Sequence, residues 1–360
     1  MSDPQSELGE AHSKHAPAVR RVLQVLGPSS GGIRRHVRFL AYNPPPGYQT
    51  AGVAGPGDLA GYFEKCNFFA TGKGPFPLGD PAPDVLHAHG LTAGAQALRW
   101  TALGTKGPPV VVTVHTSMQQ TLRASAKGAG SALAQKAMWR AARIGLRRAS
   151  AVIAVSAGVR DELGFGDVVP PALDLPVAEP GARHKVRSEL ETPDDRTVVL
   201  AVGRLHRDKQ LDVFIRAIDG TGAEGWIAGD GPERSALEAL AEGTGVRLLG
   251  HRSDVGNLLA AADIFALPAH AESYGFAVME GISAGLPVVA TRTGAIGELV
   301  GDAGILVDPE DAKGFQRAVR ELVDSAALRA ELARAAAEKG LPSPEELVAR
   351  VGEIYSRVLR

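Results

Sequence analysis

The stretch whose reading decides the fold is His270-Ala271-Glu272-Ser273-Tyr274-Gly275-Phe276-Ala277-Val278-Met279-Glu280, continuing as Gly281-Ile282-Ser283-Ala284-Gly285-Leu286-Pro287-Val288-Val289-Ala290. Two carboxylates stand eight positions apart around a Tyr-Gly-Phe turn, and the second lies inside an apolar helical run. Gly275 permits close backbone approach and is predicted to open that helix, whose free N–H groups then point forward as an anion site. Glu272 falls just before the helix and Glu280 about five residues into it, roughly 7–8 Å further along at 1.5 Å per residue. Such spacing suits a ligand with a phosphate between two hydroxyl-rich ends, the shape of a nucleotide-sugar. A capping Glu followed by an ordinary helix Glu has the same spacing, so the neighbouring segments decide.

Upstream, Val198-Val199-Leu200-Ala201-Val202-Gly203 reads as a buried strand ending in Gly, and it is followed by Arg204, Leu205, His206, Arg207, Asp208 and Lys209. Trp226-Ile227-Ala228-Gly229-Asp230-Gly231-Pro232-Glu233 is a second short strand ending in a Gly-rich turn, and the segments Val246–His251 and Ala262–Pro268 follow. Toward the N-terminus, Val19–Leu26 leads through Gly31 and Gly32 into a helix predicted from Ile33 to about Ala41, which the Pro44-Pro45-Pro46 run breaks. Thr50–Ala54, Val85–Ala88, Val110–Val114 and Ala151–Val155 are further strands, with a long helical region over about 121–149 between the last two. Strands alternating with helices argue for parallel α/β sheets. Pro170, Pro171 and the stretch Asp174–Pro180 mark a linker between two such series.

In this order the segments resemble the retaining glycosyltransferases of family 4, over roughly residues 19–340 and most specifically over 198–300. The resemblance implies the GT-B fold, two Rossmann-like domains with a cleft between them and a C-terminal helix crossing back. The boundaries it implies are a disordered tail over 1–18, an acceptor-side domain over 19–177, a nucleotide-sugar domain over 178–343 and the crossover helix over 344–360. It implies hexosyl transfer from a UDP- or GDP-linked sugar, which is a substrate, so no cofactor is expected. A sugar-nucleotide epimerase-like enzyme or a catalytically silent nucleotide-sugar-binding protein are the alternatives.

A departing diphosphate needs preorganised cations and N–H groups. By resemblance Arg204 and Lys209 supply the cations, Arg as a fork and Lys as a point charge. Glu272 is then expected beside the transferred sugar, Glu280 on the ribose, and His115, at the end of Val110–Val114, against the donor sugar. Gly31, Gly32, Gly203, Gly229, Tyr274, Gly275 and Phe276 complete the expected donor site. Two carboxylates also occur in glycosidases, but those enzymes need no Arg/Lys phosphate clamp. The resemblance instead implies front-side attack assisted by the leaving phosphate, which needs no protein nucleophile. His87 and His89 share one face of a strand with no third ligand of fitting type expected nearby, and the chain holds no Asp-x-Asp, so no metal is expected. His36 reads as a helix-face residue. Three departures from the family are visible: the linker has Pro170-Pro171-Ala172-Leu173-Asp174 in place of Asn-Gly, residues 42–80, a region that often shapes the acceptor side in the family, are short and rich in Gly and Pro, and Tyr274 stands where Phe is commoner.

With 360 residues, two domains are the better prior. No apolar run approaches 18 residues, and Met1–Pro17 has no apolar core of a secretory signal, so a cytoplasmic enzyme is expected. Cys66 is the single cysteine, which excludes an internal disulfide. Charge is uneven: up to residue 177 there are 18 Lys and Arg against 11 Asp and Glu, and beyond it 21 against 29. From Val85 to Arg160 there is no carboxylate but ten basic residues. Lys136, Arg140, Arg143 and Arg147 recur on one helical face, beside an apolar stripe of Leu133, Ala137, Ala141 and Ile144, and a solvated basic face above a core-facing stripe is the plainer of two readings. This face points to an anionic or lipid-linked acceptor and peripheral contact with the inner face of the cytoplasmic membrane. Nucleic acid is not expected, because few aromatics are interleaved to stack bases.

Overall fold

The computed structural model describes residues 19–29, 31–71, 81–102, 107–116, 132–272 and 274–360, the side chains of 132–136 excepted. The N-terminal segment, Ser30, Ser117, Met118 and the first part of the expected 121–149 helix lie outside the described residues.

Two parallel sheets carry the fold. The first contains β1 (Arg20–Leu26), β2 (Tyr48–Gly55), β3 (Phe68–Ala70), β4 (Val85–His89), β5 (Val110–Val114), β6 (Ala151–Ala154) and β7 (Asp167–Val168), in the order β3-β2-β1-β4-β5-β6-β7. The second contains β8 (Val198–Val202), β9 (Glu224–Ala228), β10 (Val246–Gly250), β11 (Ile264–Leu267), β12 (Val288–Thr291) and β13 (Gly304–Val307), in the order β10-β9-β8-β11-β12-β13. Helices cover both faces, so the central strands are buried on both sides and read as continuous apolar runs, as in Val198-Val199-Leu200-Ala201. The strand order reverses beside β1 in one sheet and beside β8 in the other, and ligands of open α/β sheets bind at such switch points.

In the first domain α1 (Gly32–Tyr42), α2 (Leu91–Ala102), α3 (Ala132–Leu146) and α4 (Ala157–Leu163) follow β1, β4, β5 and β6. The second is entered through α5 (Ala182–Glu189). Its strands alternate with α6 (Leu211–Ile218), α7 (Arg234–Ala241), α8 (Val255–Ala261), α9 (Phe276–Ser283) and α10 (Ile296–Val300), and α11 (Ala312–Asp324) and α12 (Ala326–Glu338) close it. The last helix, α13 (Pro344–Val358), starts on a capping box of Ser343 and Glu346 with Pro344 in its first turn. It buries Leu347, Val351, Ile354 and Tyr355 against Val22, Val85 and Val111 of the first domain. Arg357 pairs with Asp167, and the Tyr355 hydroxyl lies 2.6 Å from His87 Nδ1.

One reading of α3 is corrected. Ile144 is 67% exposed, and Ala137 and Ala141 are exposed as well, while Trp139 and Leu146 are buried. The aromatic ring sets the rotation: at about 100° per residue, burying Trp139 turns the 137–141–144 stripe outward. Arg140 and Arg147 are exposed, Arg143 is half-buried and the Arg147 guanidinium lies 4.7 Å over the Phe165 ring. Lys136 belongs to α3, but its side chain is outside the described residues.

Candidate active site

The candidate residues of the second domain gather at the C-terminal ends of its parallel strands. β8 runs into Gly203 and exposed Arg204, and a tight turn over Arg207–Lys209 then presents Lys209. β9 runs into Gly229 and Gly231, and β11 into the segment that carries Glu272. These turns interlock. Leu205 N–H donates to the Asp230 carbonyl at 3.0 Å, and His270 N–H donates to the Asp208 carbonyl at 2.9 Å. Lys209 lies along the open face of Gly203, and its ammonium pairs with the Glu272 carboxylate. Burial, and then the Arg204 charge, lower Lys209 to about 8, while the Asp208 charge opposes that loss. Arg204 itself makes no side-chain hydrogen bond or ion pair among the described residues, so it presents a free guanidinium.

Gly275, with φ +93, opens α9, and Glu280 is the fifth residue of that helix. The start of α9 thus aims free N–H groups into the same crevice. Tyr274 is buried and its hydroxyl has no partner among the described residues. Burial, and then the Glu298 charge, push its ionisation up, so it stays a neutral phenol. An unpaired buried hydroxyl is destabilising, so Tyr274→Phe is expected to raise unfolding free energy by about 1 kcal/mol. Denaturant unfolding measures it, and a fall in stability would show that the hydroxyl is in fact satisfied.

The first domain faces this crevice with the Gly31–Gly32 turn, α1 and three strand ends. Gly31 has φ +57, and a Cβ on Gly32 would lie 2.1 Å from the Phe276 ring, so a side chain there collides with the second domain. One turn into α1, Arg35 reaches across to pair with the buried Glu280. His115 directly follows β5, and His87 and His89 sit on β4, all buried. The expectation that no third ligand-type side chain stands near His87 and His89 is corrected. The fold brings α1 and the ends of β4 and β5 together, so ring nitrogens of His36, His89 and His115 lie within 4.8 Å of one another.

Hydrogen bonds define the chemistry of this cluster. His89 Nε2 lies 2.8 Å from Gln24 Oε1, an oxygen that only accepts, so His89 carries its proton there. Its Nδ1 is then an acceptor for His115 Nε2–H at 3.2 Å. His87 bridges Tyr355 and Thr113, and His36 Nδ1 has no partner among the described residues. Burial lowers His36 to about 4 and His87 to about 3, and burial with the neighbouring imidazoles holds His89 and His115 well below the usual range. All four are neutral at physiological pH, so His115 offers the crevice a polar but uncharged ring. Arg35, His36 and Gln24 were not legible as crevice residues. The available signal was that α1 begins at the C-terminal edge of a strand, where its first turn must face the ligand side.

A cavity of about 870 Å³ lies elsewhere, on the outer edge of the second sheet between Glu224, Glu238 and Arg247. One of about 480 Å³ opens beside α1, lined by Arg35, Arg38, Tyr42, Tyr62 and Lys65.

Two Rossmann-like domains with a cationic, N–H-rich crevice facing a glycine turn define the GT-B class. The glycosyl transferase 4-like domain model matches residues 14–174 and the glycosyl transferases group 1 model matches residues 196–325. Together they take in most of the sequence, and the chain belongs to the GT-B glycosyltransferases of the family 4 type. It is 36% identical over 154 residues to the lipopolysaccharide core biosynthesis glycosyltransferase LpsE of Rhizobium meliloti, covering 41% of this chain and 45% of that one. It is 31% identical over 281 residues to the D-inositol 3-phosphate glycosyltransferase of Mycolicibacterium smegmatis, covering 71% of this chain and 62% of the relative. The match thus spans about half to two thirds of these relatives' lengths. Among solved structures, Anabaena Alr3699/HepE in complex with UDP superposes with a TM-score of 0.78 at 20% identity, over 93% of this chain and 99% of that one, a likeness of fold.

Proposed function

We propose that this protein is a retaining glycosyltransferase that moves a hexosyl group from a UDP- or GDP-sugar to an anionic or lipid-linked acceptor of cell-envelope glycan or glycolipid synthesis. The observation that carries it is the convergence of Arg204, Lys209 and Glu272 with the start of α9 and Glu280, opposite the Gly31–Gly32 turn. The diphosphate lies on the α9 N-terminus between Arg204 and Lys209, which stabilise the charge of the leaving phosphate. Glu280 accepts hydrogen bonds from the ribose hydroxyls. Glu272 and neutral His115 flank the sugar, where Glu272 supports positive charge at the anomeric carbon. The bond from that carbon to the phosphate oxygen breaks as the acceptor oxygen bonds on the same face, and the acceptor proton passes to the departing phosphate. The cations on this chain take the part that a divalent metal plays elsewhere, so transfer is metal-independent.

The acceptor class has support from chemistry and relatives. One relative's name specifies a phosphate-bearing cyclitol and the other's a lipopolysaccharide core. On this chain the exposed Arg140 and Arg147 lie near Met138, 56% exposed, and Ile144 on α3. Cations beside exposed apolar side chains suit an anionic lipid surface. No described helix is long and apolar enough to cross a membrane.

The test is turnover of nucleotide-sugars with phosphorylated polyols and lipid-linked acceptors, the product's anomeric configuration being read by NMR. Retained configuration, with activity unchanged by a chelator, is expected. Inversion, or loss on chelation with rescue by a divalent ion, would overturn the mechanism. Co-sedimentation is expected with anionic vesicles at low salt and not at high salt. Equal binding to neutral vesicles would remove the membrane part alone.

A further inference from the structure

Glu280 poses an electrostatic problem that its own domain does not solve. Its side chain is 4% exposed and lies between the buried Met279 and Gly281 of α9. A carboxylate so deeply placed needs opposite charge or hydrogen bonds in place of water. Among the described residues its one cationic partner is Arg35, 245 positions away on the other side of the cleft. Arg35 binds through one nitrogen to Glu280 Oε1, and Oε2 has no side-chain or backbone donor among the described residues. Arg35 makes no other side-chain hydrogen bond among those residues and is itself partly exposed. The guanidinium is therefore an arm extended from α1 for this single contact. The Phe276 ring, one turn earlier on α9, packs on Gly32, one turn earlier on α1. The two helix starts meet as matched pairs, glycine to ring and arginine to carboxylate.

We infer that Arg35 is a positioning residue for ribose recognition: it holds the Glu280 carboxylate aimed from the opposite domain, leaving Oε2 open to the ribose hydroxyls. This rests on the reading of Glu280 as the ribose acceptor. An Oε1 already taken by an arginine still has a lone pair, and Oε2 has both, so a vicinal diol finds acceptors on both oxygens. Its consequence is a division of labour. The second domain binds the diphosphate with its own groups, but it discriminates ribose only when the first domain has closed on it. Nucleotide selectivity is then a property of the closed cleft rather than of one domain.

The experiment compares binding of UDP with 2′-deoxy-UDP, and of GDP with 2′-deoxy-GDP, by calorimetry. The proteins are wild type, Glu280→Gln, Arg35→Gln, Arg35→Lys and the Glu280→Gln/Arg35→Gln double variant. For whichever nucleotide the wild type binds, Glu280→Gln is expected to lower the ribose preference by about tenfold, as for a hydrogen bond to a charged group. Arg35→Gln is expected to lose most of the same preference while its affinity for the deoxy nucleotide stays near wild type. Arg35→Lys recovers part of the loss, and the double variant is no worse than Glu280→Gln alone. If Glu280→Gln loses the preference and Arg35→Gln keeps it, this inference falls and the ribose reading stands. A preference unchanged in Glu280→Gln overturns both. Equal weakening of both nucleotides by Arg35→Gln would mark a merely structural residue. Tighter binding of both would mark Arg35 as a competitor of the nucleotide, and either result overturns the inference.

Discussion

Lys209→Ala is expected to lower kcat for glycosyl transfer by about 10²–10³-fold, the effect of removing one preorganised charge from a developing anion. The structure gives this lysine two tasks. Its ammonium is held at the end of β8 where the α9 N-terminus points, and it neutralises Glu272, whose carboxylate would otherwise repel the diphosphate. Arg204→Ala is expected to fall by a similar factor, but with unchanged stability, because its exposed guanidinium makes no ion pair among the described residues. Near-normal turnover in both variants would remove the pair from the chemistry. The pH profile separates Lys209 from a passive ion pair. In the folded protein its ammonium is lowered from 10.5 to about 8. The profile of kcat/KM, which reports the free enzyme, should therefore decline as pH rises through about 8. Stability moves the other way. Between about 8 and 10.5 the unfolded chain holds this proton more tightly than the fold does, so the group's contribution to stability rises with pH there. Lys209→Arg should abolish the decline, since an arginine keeps its charge throughout. A kcat/KM profile flat to pH 10 in the wild type would show that Glu272 outweighs burial at this site.

What could be read from the sequence was what is local along the chain. Val198–Val202 and Val110–Val114 form strands because unbroken apolar runs suit strands buried on both faces. Gly275 opens α9 and puts Glu280 at its fifth position because a glycine ahead of an apolar period is a helix start. The edge strands β3 and β7 escaped notice, since three and two residues carry too little period to read. The contacts that close the site are non-local. The Arg35–Glu280 pair and the Phe276–Gly32 contact join segments more than 240 positions apart, and no spacing rule reaches that far. The histidines show the same limit. His87 and His89 alternate visibly on one strand, but their neighbours His36 and His115 arrive from other elements through the strand order β1-β4-β5. On α3 the pattern misled because alanines count as apolar wherever they stand. The single Trp139 outweighed the whole stripe, because its burial removes far more apolar surface from water.

Gly229→Ala is expected to destabilise the second domain by at least about 3 kcal/mol and to abolish nucleotide binding with it. The reason is steric and local. A Cβ on Gly229 would lie 1.8 Å from the Gly203 carbonyl oxygen, where no atom can sit. That oxygen belongs to the strand end that carries Arg204, and Gly203 N–H donates to the Ala228 carbonyl at 3.0 Å. Neither side can yield without parting β8 from β9. The backbone at Gly229 also has φ +152, which side chains rarely adopt. Gly231 repeats the pattern, with its missing Cβ 2.4 Å from the Leu205 carbonyl. The two glycines therefore let the β9 turn lie against the β8 turn, and that contact fixes where Arg204 and Lys209 stand. Gly297→Ala is the control in the same domain. It lies on α10, where a Cβ meets only the flexible Arg292 side chain at 3.9 Å, so the change is expected to be neutral or slightly stabilising. Denaturant midpoints and calorimetric titration with UDP and GDP on both variants check the pair. If Gly229→Ala unfolds with the wild-type midpoint, the interlocked turns are not what holds the phosphate clamp in place.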